Sequence, residues 1–461
     1  MLHGMKVGVA AAVLLGFGVG GVEAESLKAA MASAYANNPT ITSALMSVKV
    51  AAENIALRKS AILPTLGAGV TSTGSFTSVG GSGTGSGTTL GQTTTAGLSY
   101  SQTLFDNNKT NANVEQARAL VQVANQSLRQ AEQTVLLSVV TAYMNVILNT
   151  QLMQLRNDSV TFYTSQVKAA QDRLRIGEGT KIDVAQAEAS LASAVASYKS
   201  AIASLQTAQA SYAHWVGHKP RNLSPDFNYG TLIPVSVDKA ISLADAYNPS
   251  ILGAKASIRA AQAGVDIAND EFGPTLGVTG SLGPSFSSSS TGGAAATSTS
   301  AFGGSLKLSF TVPLYAGGAL GAGSRQANLS QIKSNLDAEA ARDQVNETVI
   351  TSWSSLQNAA AQIDSAKSGV DAGQAALDGV IQERDVGQKT TLDVLNAEST
   401  LTTSKEALIS ATSGRVVAAF SLIAATGRLS SKDLGLGVAT KSAEGYEAKV
   451  EDAWGELRSL E

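Results

Sequence analysis

The sequence predicts an α+β membrane protein made by tandem duplication, in which each half supplies one β-hairpin and long coiled-coil helices. Three observations predict it. The same residues recur at a single offset through the chain, one proline-free stretch is long enough for a rod of helix, and two uncharged segments alternate with a period of two.

The duplication is read from pairs that all stand 210 positions apart. Pro64 in LPTLG matches Pro274 in GPTLG, and Asn38-Pro39 matches Asn248-Pro249. Leu104-Phe105 matches Leu314-Tyr315, and Gly177, Asp183, Glu188 and Gly217 match Gly387, Asp393, Glu398 and Gly427. Coincidence at one offset, with no net insertion, marks one structural unit used twice. The organisation expected is a signal peptide over 1–24, a first repeat over 25–217, a linker over 218–236, a second repeat over 237–429 and a C-terminal tail over 430–461.

Composition narrows the class. Of 461 residues only 15% are charged and 5% aromatic, the net charge is −3, and there is no cysteine. The charge balance gives no basic footprint for nucleic acid. Without cysteine there are no disulfides, no thiolate metal sites and no lipid-modified N-terminal cysteine. Lys6, the apolar run Val7–Gly21 and the Val22-Glu23-Ala24 site read as a secretory signal, so the mature chain is expected to begin near Glu25. No later run reaches the roughly 18 apolar residues of a membrane-spanning helix.

Taken in order, residues 26–62 read as helix interrupted at Asn38-Pro39 and ended by Pro64. From Ser60 to Phe105 there is no Asp, Glu, Lys or Arg. Leu66, Ala68 and Val70 alternate with glycines, and Ala96, Leu98, Tyr100, Gln102 and Leu104 alternate with small polar residues, the period of strands with one apolar face. Between them Thr77–Thr94 reads as a loop, which makes a hairpin of about 65–105. The second copy gives a hairpin of about 275–314 with a loop over 287–300, and Lys307, its only charge, lies on the face opposite the apolar residues. Apolar-out, polar-in alternation over about ten residues suits a transmembrane barrel strand. A soluble sandwich edge is the alternative.

Four strands are too few to close, and an open edge has no place in lipid. The sequence therefore predicts several copies sharing one barrel. Next, Val114, Ala117, Val121, Ala124, Leu128, Ala131 and Val135 step by threes and fours along a helix that continues to Gly177, on the order of 100 Å at 1.5 Å per residue. Gly177-Glu178-Gly179 turns the chain into a second helix that ends at Gly217, and the second repeat turns at Gly387. Ala and Ser on these seams let helices approach as a wall without a thick core.

With these residues in view, the chain resembles the TolC family of outer-membrane channel proteins over nearly its whole mature length. LPTLG and GPTLG, LFD and LYAGG, and the turn motifs from Arg175 to Leu191 and from Arg384 to Leu401 carry the resemblance. The tail from Lys432-Asp433-Leu434-Gly435 to Asp452-Ala453-Trp454 looks like the version found in type I secretion partners. The resemblance implies a homotrimer with a 12-stranded barrel in the outer membrane and a helical tunnel across the periplasm. It implies a periplasmic adaptor and an inner-membrane pump, ABC-type or proton-driven, as partners, with no cofactor.

It also implies a periplasmic gate of Asp183, Lys389, Asp393 and Asn396, the last where family members can carry a second aspartate, and adaptor contact at the tips through Arg173, Gly177, Arg384 and Gly387. Residue chemistry offers Asp183 and Asp393 a second role, as helix caps facing the N-terminal dipole. His214 and His218 have a zinc-compatible spacing but no third ligand, so no metal is expected. No Ser/His/Asp set and no Walker spacing stands out, and no enzymatic activity is expected. The function read from the sequence is a passive exit duct, type I secretion ahead of small-molecule efflux because of the tail. A periplasmic coiled-coil scaffold is the alternative of another class.

Overall fold

The computed structural model describes residues 24–80, 87–224, 229–292 and 294–451. The signal-peptide expectation, apart from Ala24, and the Asp452-Ala453-Trp454 part of the tail lie outside them. The chain runs α1 (Leu27–Asn37), α2 (Pro39–Lys59), β1 (Thr65–Val79), β2 (Gly87–Phe105), α3 (Lys109–Ile176) and α4 (Lys181–Val216). It then repeats itself as α5 (Val237–Tyr247), α6 (Pro249–Asp270), β3 (Thr275–Thr291), β4 (Thr297–Thr311), α7 (Ala319–Asp385) and α8 (Thr391–Ala425), and ends on a tail helix α9 (Glu444–Glu451).

The duplication holds at the level of single hydrogen bonds. Asn38 and Asn248 each cap the helix that starts at the following proline, accepting from the N–H of Thr40 and Ser250. Their amides donate to Trp215 O and Ala425 O, themselves partners at the same offset. Proline at the first helical position costs nothing there, because that N–H has no partner in any helix. Where the sheet gives way to the long helices, Asn107-Asn108 take φ of 55° and 73°, and Gly317-Gly318 take 62° and 84°. Asn and Gly are the residues that enter this left-handed region at least cost.

The four strands form one antiparallel sheet in the order β1-β2-β3-β4, so the two repeats are joined strand to strand through β2 and β3. Register puts Leu66 opposite Tyr100, Tyr100 opposite Gly280, and Gly280 opposite Leu306, which collects the apolar residues of all four strands on one face. That face is open, with Leu66, Leu98, Leu306 and Phe310 all more than half exposed. Both hairpins run further than the alternation predicted, into Thr77–Val79, Gly87–Thr94, Ser287–Thr291 and Thr297–Ser300. Ser and Thr give no apolar contrast there, but the backbone ladder continues and hydroxyls pair across strands, as in Ser72–Thr94 at 3.0 Å and Thr89–Thr291 at 3.0 Å.

Helix α3 is 68 residues and α7 is 67, each on the order of 100 Å at 1.5 Å per residue. The main core lies at mid-length of α3, where Leu136, Val139, Val140 and Tyr143 are fully buried with Ile41, Tyr212 and Leu429. A smaller core in the second repeat joins Ala240, Ala244, Ile251, Val345, Val349 and Leu422, the partners at the same offset of Ala30, Ala34, Ile41, Val135, Val139 and Tyr212. These cores correct one reading: α3 and α8 each hold a window apolar enough, by length and composition, to cross a membrane. In α3 that apolar density coincides with the main core.

The described part of the tail packs back on the first repeat. Leu436 and Ala443 join the main core, Lys441 N–H donates to the Tyr35 hydroxyl at 2.7 Å, and Asn125 donates to Glu447 at 3.0 Å. Ser431 N–H donates to the buried carboxylate of Glu132 at 2.5 Å. Burial pushes the Glu132 carboxyl above its ordinary range, and that hydrogen bond opposes the shift.

Candidate functional site

The sheet and the two helix turns lie at opposite ends of α3 and α7, so the turns form the far end of the rod. Helix α3 ends at Gly177 in the left-handed conformation (φ 83°), with Glu178 N–H closing onto Arg173 O at 2.9 Å. The second turn repeats this with Gly387 (φ 80°) and Gln388 N–H onto Glu383 O at 2.8 Å. A side chain at either glycine would be strained in that backbone region, which fixes glycine at both tips.

Asp183 and Asp393 each stand three residues past an N-cap threonine. Thr180 N–H and Oγ1 donate to Asp183 Oδ2 at 3.0 and 2.7 Å, and Asp183 N–H returns a bond to Thr180 Oγ1 at 3.2 Å. Thr390 and Asp393 do the same at 2.9, 2.8 and 3.2 Å. These are capping boxes, the second of the two roles the sequence offered these aspartates. The Thr180 hydroxyl and N–H hold the Asp183 carboxyl below its ordinary range, and the Thr390 N–H and hydroxyl do so for Asp393. Both therefore remain anions at neutral pH, locked to the helix start.

Lys389 has no hydrogen bond or ion pair among the described residues, and its charge is a minor cause of the lowered Asp393 value. Asn396 lies one turn beyond Asp393 and lines a polar cavity of about 220 Å³ between α3, α4 and α8, with Ser159, Ser193, Ser197 and Thr403. Arg173 and Arg384 are bonded across the two hairpins. Arg173 reaches Asp385 at 3.4 Å, while Arg384, with a side chain only 10% exposed, bonds Asp385 at 2.8 Å and Gln166 Oε1 at 3.0 Å.

The sequence reading missed the residues that stitch the hairpins together. Asp385 and Gln166 are the partners of the two arginines, and higher up Arg156 pairs with Glu406 at 2.6 Å. Ser159 and Thr402 share a buried hydrogen bond at 3.2 Å, and Thr402 also donates to Glu398 at 3.3 Å. Burial raises the Glu398 carboxyl, whereas its partner at the same offset, Glu188, is exposed. Equal spacing in sequence concealed that difference. The histidines are held by other chemistry: His218 Nε2 is 3.3 Å from Glu25 Oε1, and the His214 ring stacks edge-on with Trp215 at 5.0 Å.

Comparison with known proteins agrees with this architecture. Residues 30–218 and 240–428 both match the family described as outer membrane efflux protein, one match for each repeat. The chain is similar to the outer membrane efflux protein BepC of Brucella suis, with 36% identity over 454 residues that cover 98% of this chain and 96% of that protein. It is 28% identical over 438 residues to the outer membrane protein TolC of Escherichia coli, covering 92% of this chain and 87% of that one. Its fold matches the crystal structure of the CmeC outer membrane channel of Campylobacter jejuni with a TM-score of 0.73 at 16% identity, over 92% of this chain and 89% of that chain.

Proposed function

The chain belongs to the outer membrane efflux protein family, and on that premise we propose that three copies form a passive exit duct for a three-part export machine. As a member of that family it is an outer-membrane channel with a helical tunnel in the periplasm. The observation that carries the trimer is the sheet: four strands with β1 and β4 unpaired at its edges, and an apolar face that is open. In lipid every backbone group must be paired, so the edges of one copy must meet those of the next, and three copies give a 12-stranded barrel.

The tips formed by Gly177 and Gly387 then face the inner membrane, where a periplasmic adaptor and an ABC-type or proton-driven pump engage them. Asp183 and Asp393, kept ionised by their caps, set a negative potential at that entrance that favours cations. Arg173 and Arg384 brace the hairpins against each other through Asp385, and Lys389 and Asn396 line the entrance as its basic and uncharged complement. Adaptor docking opens the entrance by exchanging these bonds.

Efflux, which we read as export of small molecules, is supported by BepC, a relative matched over nearly the whole chain that is named an outer membrane efflux protein. Type I protein secretion is supported by the tail, whose Lys432–Gly435 segment looks like that of secretion partners. Two measurements test the proposal. The purified protein in a planar bilayer should give a small, cation-selective conductance, and a silent bilayer contradicts the duct. Deleting the gene should sensitise cells to amphipathic toxins if it serves efflux, or remove a protein from the culture medium if it serves secretion.

A further inference from the structure

The four strands carry a single Asp, Glu, Lys, Arg or His between them, Lys307 on β4. It sits between Leu306 and Leu308, which are 79% and 65% exposed on the apolar face, so its own side chain belongs to the opposite face. Strand register places it in a row with Thr279, Ser101 and Thr65. The row next to it on the same face is Ser305, Ser281, Ser99 and Gly67, all small and uncharged. Lys307 is exposed and has neither ion pair nor hydrogen bond among the described residues.

On the lipid side a lysine at mid-membrane costs about 2–4 kcal/mol, whereas on the inner side it stays hydrated. Its level along the barrel is set by the same row: Thr65 is the first residue of β1, so Lys307 stands at the end where the barrel meets the tunnel. Four residues further, β4 ends at Thr311. The nearest acids along the chain belong to the top of the helices. Lys109 and Glu271 are paired there at 2.8 Å, and Asp106 caps Thr110 at 2.8 Å. Asp106 lies five residues past Ser101, about 16 Å of strand. That is roughly twice the screening length of about 8 Å at physiological salt, so it leaves the ammonium uncompensated.

We propose that Lys307 forms, with its copies in the assembly, a cationic ring at the inner mouth of the barrel that binds anionic groups of a passing solute. The ring rests on the trimeric-duct reading above. It makes the barrel end of the conduit selective in the opposite sense to the acidic tips, so a solute carrying phosphate, sulfate or several carboxylates has a holding point after it leaves the tunnel.

The test uses inositol hexakisphosphate as a polyanion, added on the barrel side of channels reconstituted in a planar bilayer at low salt. Wild-type current should be blocked when the voltage draws anions inward, and block should weaken in 1 M salt, where the screening length is about 3 Å. K307Q should weaken the block by about tenfold or more, the size expected when a focusing charge is removed, and K307R should retain it. Wild-type channels indifferent to the polyanion, or K307Q channels blocked as strongly as wild type, overturn the ring while leaving the duct intact. A bilayer with no conductance for any of the three proteins instead sinks the duct reading itself, and the ring with it.

Discussion

Helices α3 and α7 differ in length by one residue and occupy the same place in the two repeats, yet they are buried very differently. α3 is lined at mid-length by fully buried Val135, Leu136, Val139, Val140 and Tyr143, because α1, α2, α4, α6 and α8 all pack on it. α7 packs mainly on α5, α6 and α8, meets α3 near the tip through Arg173–Asp385 and Arg384–Gln166, and leaves Leu329, Ile332 and Leu336 at 65%, 55% and 59% exposure in steps of three and four. At the other margin α2 leaves Met46, Val50 and Leu57 open. The exposed stripes fall on the two margin helices, beneath the two unpaired strand edges. What one repeat gains from a neighbour within the chain, the other must gain from the next copy.

The largest effect should come from charging these faces. Ile332→Asp with Leu336→Asp should convert the trimer in detergent to single chains while far-UV helicity is retained. Val139→Asp should lose the helicity as well, because an unpaired charge in the core costs several kcal/mol. A smaller effect separates two leucines: Leu136→Ala should destabilise the chain by about 2–5 kcal/mol, and Leu336→Ala should change the stability of the isolated chain by less than about 0.5 kcal/mol. Equal losses would mean that α7 is packed within the chain after all.

At the tips the two repeats should respond alike. Thr180→Ala and Thr390→Ala should each cost about 1 kcal/mol, read as faster amide exchange in the first turn of α4 and α8. The carboxyls they release should titrate closer to the ordinary aspartate value. Because the folded values are lowered, the contribution of Asp183 and Asp393 is present above the ordinary aspartate pKa of 3.8 and is lost as pH falls through the folded values. Tip protection should therefore fall in acid in the wild type and change less in the variants.

The smallest effect is expected at Glu132. Its folded value is raised above 4.5, so the penalty for burying it ionised is absent in acid and grows as pH rises through the folded value. Glu132→Gln should raise the thermal midpoint at pH 7 relative to wild type, with the advantage vanishing near pH 4. An advantage independent of pH would remove charge burial as its cause.

Much of this organisation was legible in the sequence because local chemistry specifies it. Asn38-Pro39 and Asn248-Pro249, the left-handed glycines and the Thr-x-x-Asp boxes determine their own geometry within a few residues. The strand ends were not legible, since Ser and Thr look alike in loops and in a hydroxyl-paired ladder. Nor was the pairing of β2 with β3, the docking of the tail on Glu132 and Tyr35, or the Arg173–Asp385–Arg384 stitch. Those depend on residues brought together from distant parts of the chain, and no spacing rule encodes them. Glu188 and Glu398 show the same limit from the other side: one offset, one residue type, and opposite environments.

A disulfide at the seam of the barrel tests the shared cylinder most directly, since the chain has no cysteine of its own. Thr71→Cys on β1 would be combined in turn with cysteine in place of Gly303, Ser305 or Ser309 on β4, all on the inner face. Within one chain β2 and β3 separate these positions by about 14 Å, and a disulfide needs Cα atoms within about 7 Å. A closed trimer predicts that one of these registers, on oxidation, gives covalent species of two and three chains and none larger. An unlimited ladder, or a protein that stays monomeric in water without detergent, would contradict it.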